Sequence, residues 1–76
     1  MRKSIDIEFV RRFGENLRRI RKSKNCSMEQ LAHKSNMEYS QISRIERGQI
    51  NTSISTAKVL ADALEVEVHQ LFNFSN

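Results

Sequence analysis

Residues 27–48 read Ser27-Met28-Glu29-Gln30-Leu31-Ala32-His33-Lys34-Ser35-Asn36-Met37-Glu38-Tyr39-Ser40-Gln41-Ile42-Ser43-Arg44-Ile45-Glu46-Arg47-Gly48, and this stretch decides the fold. Ser27 with Gln30 three residues on is a capping box: the hydroxyl takes the Gln30 amide while the Gln30 side chain reaches back. It opens a short helix over about 28–34, with Leu31 and Ala32 inward. Ser35-Asn36-Met37 follows as a tight turn, in which Asn36 is the residue that tolerates positive φ. A second helix runs over about 39–47, with Ile42 and Ile45 inward and Gly48 as its stop. Two helices joined by three residues, with the small Ala32 where they cross, make a rigid pair at a steep angle. The N-terminal half of the second helix is then pushed outward.

Upstream, Asp6 is a candidate N-cap for a helix over about 7–24. Its apolar positions Phe9, Val10, Phe13, Leu17 and Ile20 recur at spacings of three and four and predict one buried stripe. Gly14 inside that helix costs about 1 kcal/mol relative to Ala, which points to close approach by another backbone. Asn25 is suited to end the helix in the left-handed conformation. Downstream, Ser53 caps a helix over about 54–64 with Ile54, Ala57, Leu60, Ala61 and Leu64 on one face. A last helix over about 68–72 carries Val68, Leu71 and Phe72. The expectation is an all-α, five-helix unit in which residues 1–76 form a single domain.

Composition agrees with that class. The chain has 76 residues, no proline, two glycines and no alternating run of β-branched residues. No apolar stretch is long enough to span a membrane, and the N-terminus meets acids at once instead of an apolar secretion block. The cytoplasm is the expected compartment. Cys26, alone, excludes an internal disulfide or a cysteine zinc site. A buried structural thiol is the plain reading of it, and an intermolecular disulfide or redox switch the alternative. Residues 1–24 carry nine Lys/Arg against three acids, a balance of +6, while residues 25–76 carry four against six, a balance of −2. A basic end opposed to an acidic end suits a polyanion on one side; a solvated basic helix would look the same.

The chain resembles the lambda-repressor and Cro-like helix-turn-helix family, also called the Xre family. The resemblance runs through Phe13-Gly14-Glu15-Asn16-Leu17-Arg18-Arg19-Ile20-Arg21 and Ser27 to Ser35, then Tyr39 to Gly48, and ends in Ala61-Asp62-Ala63-Leu64-Glu65-Val66. It covers residues 13–72. It implies a compact five-helix DNA-binding domain with the helix-turn-helix at helices 2 and 3. Tyr39, Ser40 and Arg44 occupy the family's base-reading positions. Arg44 is suited to hold guanine O6 and N7, and Tyr39 to pack on a thymine methyl. Ser27, Gln41, Ser43, Arg47 and Asn51 would hold phosphates. Arg21 and Glu46 would form a partly buried bidentate pair that also keeps Arg21 near a phosphate. The chain departs from the family pattern at three places: Asn25 and Asn36 replace Gly, Met28 replaces Gln, and Glu38 replaces the usual Ser, Thr or Asp cap.

The function so implied is a sequence-specific regulator of transcription on double-stranded DNA, of phage-repressor, restriction–modification controller or autoregulator type. One recognition helix touches too few bases to single out a site in a genome, so a homodimer on a palindromic operator is expected. Leu64, Val68, Phe72 and Phe74, toward the acidic C-terminal end, are the candidate interface. An antitoxin that binds a partner toxin as well as DNA is the alternative, weakened by the short tail after residue 72. Catalysis is not expected: His33 and His69 are far apart, and no nucleophile motif or phosphate loop accompanies them. Neither a metal, a cofactor nor a small-molecule effector is implied.

Overall fold

The computed structural model describes residues 5–74; Arg2 and Lys3 of the basic end and Ser75 and Asn76 of the tail lie outside them. Four α-helices follow in order: α1 Ile7–Ser23, α2 Met28–Ser35, α3 Tyr39–Glu46 and α4 Ile54–Leu64. A 3-10 helix, Val68–Phe72, closes the described chain. The protein is therefore all-α, but its last segment is not the fifth α-helix expected from sequence. At five residues it takes the tighter helix that proteins use in short pieces. Asn16, buried, donates its side-chain amide to the carbonyls of Gln70 and Leu71, each at 2.9 Å. These bonds tie the segment to α1, and within it the chain turns with i to i+3 bonds such as Gln70 N–H to Glu67 C=O.

The core is one cluster fed by every element. Leu17 from α1, Leu31 from α2, Ile42 and Ile45 from α3, Leu60 from α4 and Leu71 from the 3-10 helix are 0–1% exposed. Each such burial contributes about 1.5–3 kcal/mol relative to an exposed side chain. α1 packs on α3 and the 3-10 helix, α2 on α3 and α4, and α4 on the 3-10 helix. Cys26 is buried in this cluster.

The starts and ends of the helices explain their lengths. Asp6, Ser27 and Ser53 each accept the amide of the third residue beyond, from Phe9, Gln30 and Thr56. Ser27 and Gln30 complete the reciprocal box. Every helix then ends in the same closing bond, from Cys26 to Arg21, Met37 to Ala32, Gln49 to Arg44 and Val66 to Ala61. The residue that allows each closure is left-handed: Asn25, Asn36, Gly48 and Glu65, at φ 55°, 57°, 71° and 59°.

Two side chains on the apolar stripes expected for α1 and α4 are exposed. Ile54 is 86% exposed, and Phe9 is 44% exposed. Ile54 is the first residue of α4, and its side chain leans toward the N-terminus, so it passes beyond the end of the packed face. No helix among the described residues is long and apolar enough to cross a membrane.

Candidate nucleic-acid interface

The outward helix of the pair is α3, and its placement begins with two glycines. A Cβ on Gly14 would collide with the backbone carbonyl oxygen of Ile45 and lie 2.7 Å from that of Glu46. α1 therefore touches the C-terminal turn of α3 backbone to backbone, as the sequence requires of a glycine inside a helix. Gly48 does the same from the other side: a Cβ there would sit 2.7 Å from the Arg11 Cα, and its φ of 71° closes α3.

Beside this seam lies a buried ion pair. Arg21 donates Nε to Glu46 Oε2 at 2.6 Å and Nη2 to Glu46 Oε1 at 3.1 Å, with both side chains under 10% exposed. Its Nη1 donates to the Cys26 carbonyl at 2.8 Å. The hydrogen bond to Glu46, together with that carboxylate's field, raises the Arg21 pKa above the ordinary arginine value against the opposing effect of burial. The guanidinium is thus turned inward, tying α1, the α1–α2 link and α3 together. It does not face outward as a phosphate contact would require.

With Ile42, Ile45 and Glu46 buried, the opposite face of α3 is open. Tyr39 is 48% exposed, Ser40, Arg44 and Arg47 are exposed, and Gln41 and Ser43 are half-buried. Glu38 precedes the helix without capping it through its side chain. Ser27 at the start of α2 and Asn51 in the loop after α3 are exposed as well. The Ser27 oxygen accepts the Gln30 amide, which leaves its own O–H to donate.

The distribution of neutralised charge sharpens this picture. Glu8 and Glu15 pair with Arg11, Glu8 also with Arg12, and Asp62 pairs with Lys58. The hydrogen bond from Arg11 lowers the Glu8 pKa below its usual value. Arg19 bonds to Asn16. Among the described residues, Arg18, Lys22, Lys24, Lys34, Arg44 and Arg47 have no such acidic partner. The free cations therefore lie on the C-terminal half of α1, the end of α2 and α3. Arg18, Lys22 and Lys24 were not singled out from sequence, although the lack of an acid three or four residues away marks Lys22 and Lys24.

Of the residues expected at an interface between copies, Leu64 is a correction. It is 3% exposed and belongs to the core, because α4 packs that face on α2 and the 3-10 helix. Phe74 is half-buried against Phe9, ring centroids 5.3 Å apart. Phe72 lies against Phe13 at 4.9 Å and Phe9 at 6.2 Å yet stays 39% exposed, and Val68 is 37% exposed.

Two helices joined by a three-residue turn, the second locked by its C-terminal end and open along its outer face, define a helix-turn-helix protein. The chain belongs to the helix-turn-helix family HTH_3, which matches residues 17–71. It is 39% identical over 64 residues to the control protein C.BamHI of Bacillus amyloliquefaciens, covering 83% of this chain and 79% of that protein. It is 38% identical over 55 residues to the immunity repressor protein of Bacillus phage phi105, covering 72% of this chain but 38% of the repressor. The restriction-modification controller protein C.AhdI from Aeromonas hydrophila superposes with a TM-score of 0.81 at 40% identity, over 83% of this chain and 96% of that one.

Proposed function

We propose that this chain regulates transcription by binding double-stranded DNA sequence-specifically, as a homodimer on a palindromic operator. The observation that carries the reading is the outer face of α3. Its base, Ile42, Ile45 and Glu46, is immobilised in the core, while Tyr39, Ser40 and Arg44 project into solvent. Held so, α3 enters the major groove with Arg44 on a guanine edge and Tyr39 and Ser40 on neighbouring bases. Ser27, Gln41, Ser43, Arg47 and Asn51 position the phosphates, with Arg18, Lys22, Lys24 and Lys34 adding sequence-independent attraction. The relatives named as an immunity repressor and as control proteins support this class. The protein acts by binding, in the cytoplasm where its DNA lies. Two copies meet through exposed apolar surface that includes Phe72 and Val68.

Selection of bound duplexes from a random pool tests the proposal. The expected product is a palindrome with half-sites about one helical turn, roughly 34 Å, apart. Recovery of unrelated sequences would overturn sequence-specific reading, and single unpaired half-sites would overturn the dimer.

A further inference from the structure

Between the first turns of α1, the loop before α4 and the 3-10 helix lies a mostly apolar groove lined by Phe9, Val10, Phe13, Asn51, Thr52, Ile54, Ala57 and Phe72. Its free volume is about 50 Å³, whereas small-molecule sites measure roughly 300–1,000 Å³. It has room for the end of one aliphatic side chain. Such a side chain stands on its rim: Ile54, 86% exposed, has more of its surface in solvent than any other large apolar residue among those described.

We infer that this groove is the centre of the contact between two copies of the chain, with Ile54 of each inserted into the groove of the other. A knob beside its own hole is the pattern a twofold axis satisfies twice with one contact. The size is adequate. At roughly 150–250 Å² for a large apolar residue, the exposed fractions of Phe9, Ile54 and Phe72 leave roughly 250–420 Å² of apolar surface. A standard interface takes about 800 Å² from each partner, a little over half of it apolar. This one patch therefore supplies most of the apolar part.

Charge selects a second copy over an oppositely charged partner. The α1 turns flanking the groove hold Glu8, Arg11, Arg12 and Glu15, two acids and two bases paired among themselves. Two identical rims of that kind meet without like-charge repulsion. The end of α4 and the residues after it offer no such balance: Glu65 and Glu67 stand exposed there, and a twofold contact centred on them would oppose like charges. The contact thus moves away from the acidic tail and toward the start of α4, retaining Phe72.

This inference rests on the dimeric reading above, and sedimentation equilibrium of the full chain separates the two. Ile54→Glu is compared with Val59→Glu, which puts the same charge at a half-exposed apolar position on another face of α4. Melting at concentrations where every variant is monomeric checks that folding is unchanged. Ile54→Glu is expected to weaken the dimer by about 30-fold or more, and Val59→Glu to leave it within about threefold. A wild-type monomer overturns the dimer itself and this contact with it. A wild-type dimer that Ile54→Glu does not weaken overturns the contact alone. Normal dimerisation of Ile54→Glu with lost operator affinity also overturns it and places Ile54 against DNA.

Discussion

The two ends of α1 meet the rest of the molecule in opposite ways. From Gly14 to Arg21 the helix lies against α3 with nothing to spare: backbone on backbone at Gly14, then a buried charge pair between Arg21 and Glu46. At Phe9 the contact is three aromatic rings, offset and tilted, with Phe9 and Phe72 still 44% and 39% exposed. The first contact tolerates one geometry; the second leaves apolar surface over. The difference matches what the proposed function and contact ask of each end. On the function proposed above, a helix that presents Arg44 to a base edge has to be fixed to within a fraction of an ångström. A surface meant to meet another copy has to remain incomplete.

The largest expected effect tests the rigidity of the seam. Glu46→Gln removes the charge opposite a guanidinium that has no exit to solvent, and breaking a buried pair from one side costs about 3–5 kcal/mol. Chemical denaturation should register the loss, and an unchanged midpoint would mean the pair contributes nothing. Replacing both partners, Arg21→Met with Glu46→Leu, should recover most of that stability. The double variant isolates the penalty of the stranded charge from the packing of the seam.

Gly14→Ala breaks the same seam without touching charge. Helix propensity alone would make this change stabilising by about 1 kcal/mol. The added methyl, however, meets the carbonyl oxygens of Ile45 and Glu46, which belong to backbone and cannot rotate away. A net loss of about 3 kcal/mol is expected. A raised melting temperature would show that α1 and α3 are free to separate.

What could be read from residues alone divides along the same line. Gly14 was legible because only glycine allows backbone approach inside a helix, whereas the Arg21–Glu46 pair was expected only from the family resemblance. Caps at Asp6, Ser27 and Ser53 and the turn at Asn36 were legible because they too demand particular residue types. The aromatic end was not. Phe74 reads from sequence as an interface residue in a polar tail, and only folding brings Phe9 against it across 65 positions of sequence. Ile54 and Leu64 fit the same helical stripe, yet the stripe extends past the packed face at one end. Periodicity tells which side of a helix faces inward, not how far along it a neighbour reaches. The tether of the 3-10 turn to α1 uses Asn16, a polar residue that no pattern assigns to a carbonyl 54 residues away.

At the open face of α3, smaller effects separate reading from holding. Arg44→Ala should cost about 1–3 kcal/mol on the best operator and relax the preference at one base pair. Arg47→Ala should weaken all duplexes alike and reduce the salt slope by about one phosphate. Binding measured across a library at several salt concentrations distinguishes the two. A uniform loss for both variants would remove Arg44 from the base-reading set.

The smallest expected effect lies at the end of α4, where the chain closes a helix with a residue poorly suited to it. Glu65 holds φ 59° and ψ 45°, a left-handed conformation in which a Cβ costs roughly 1–2 kcal/mol. The other three helices close on asparagine or glycine, which take that conformation more readily. The carboxylate also sits at the negative end of the helix dipole, where an acid is disfavoured by roughly 0.3–1 kcal/mol. Glu65→Gly removes both penalties but adds freedom to the unfolded chain, which offsets about 0.4–1 kcal/mol. A net gain of about 1 kcal/mol in unfolding free energy is expected. Glu65→Lys separates the causes, since it retains the Cβ and reverses the charge. If strain dominates, Glu65→Gly stabilises more than Glu65→Lys; if the dipole dominates, the order reverses. Glu65 is exposed and lies outside the groove that Ile54 is inferred to enter. Either substitution should therefore leave the Ile54-centred dimer as tight as before, and a dimer strengthened by Glu65→Lys would show that the acidic end takes part in the contact after all.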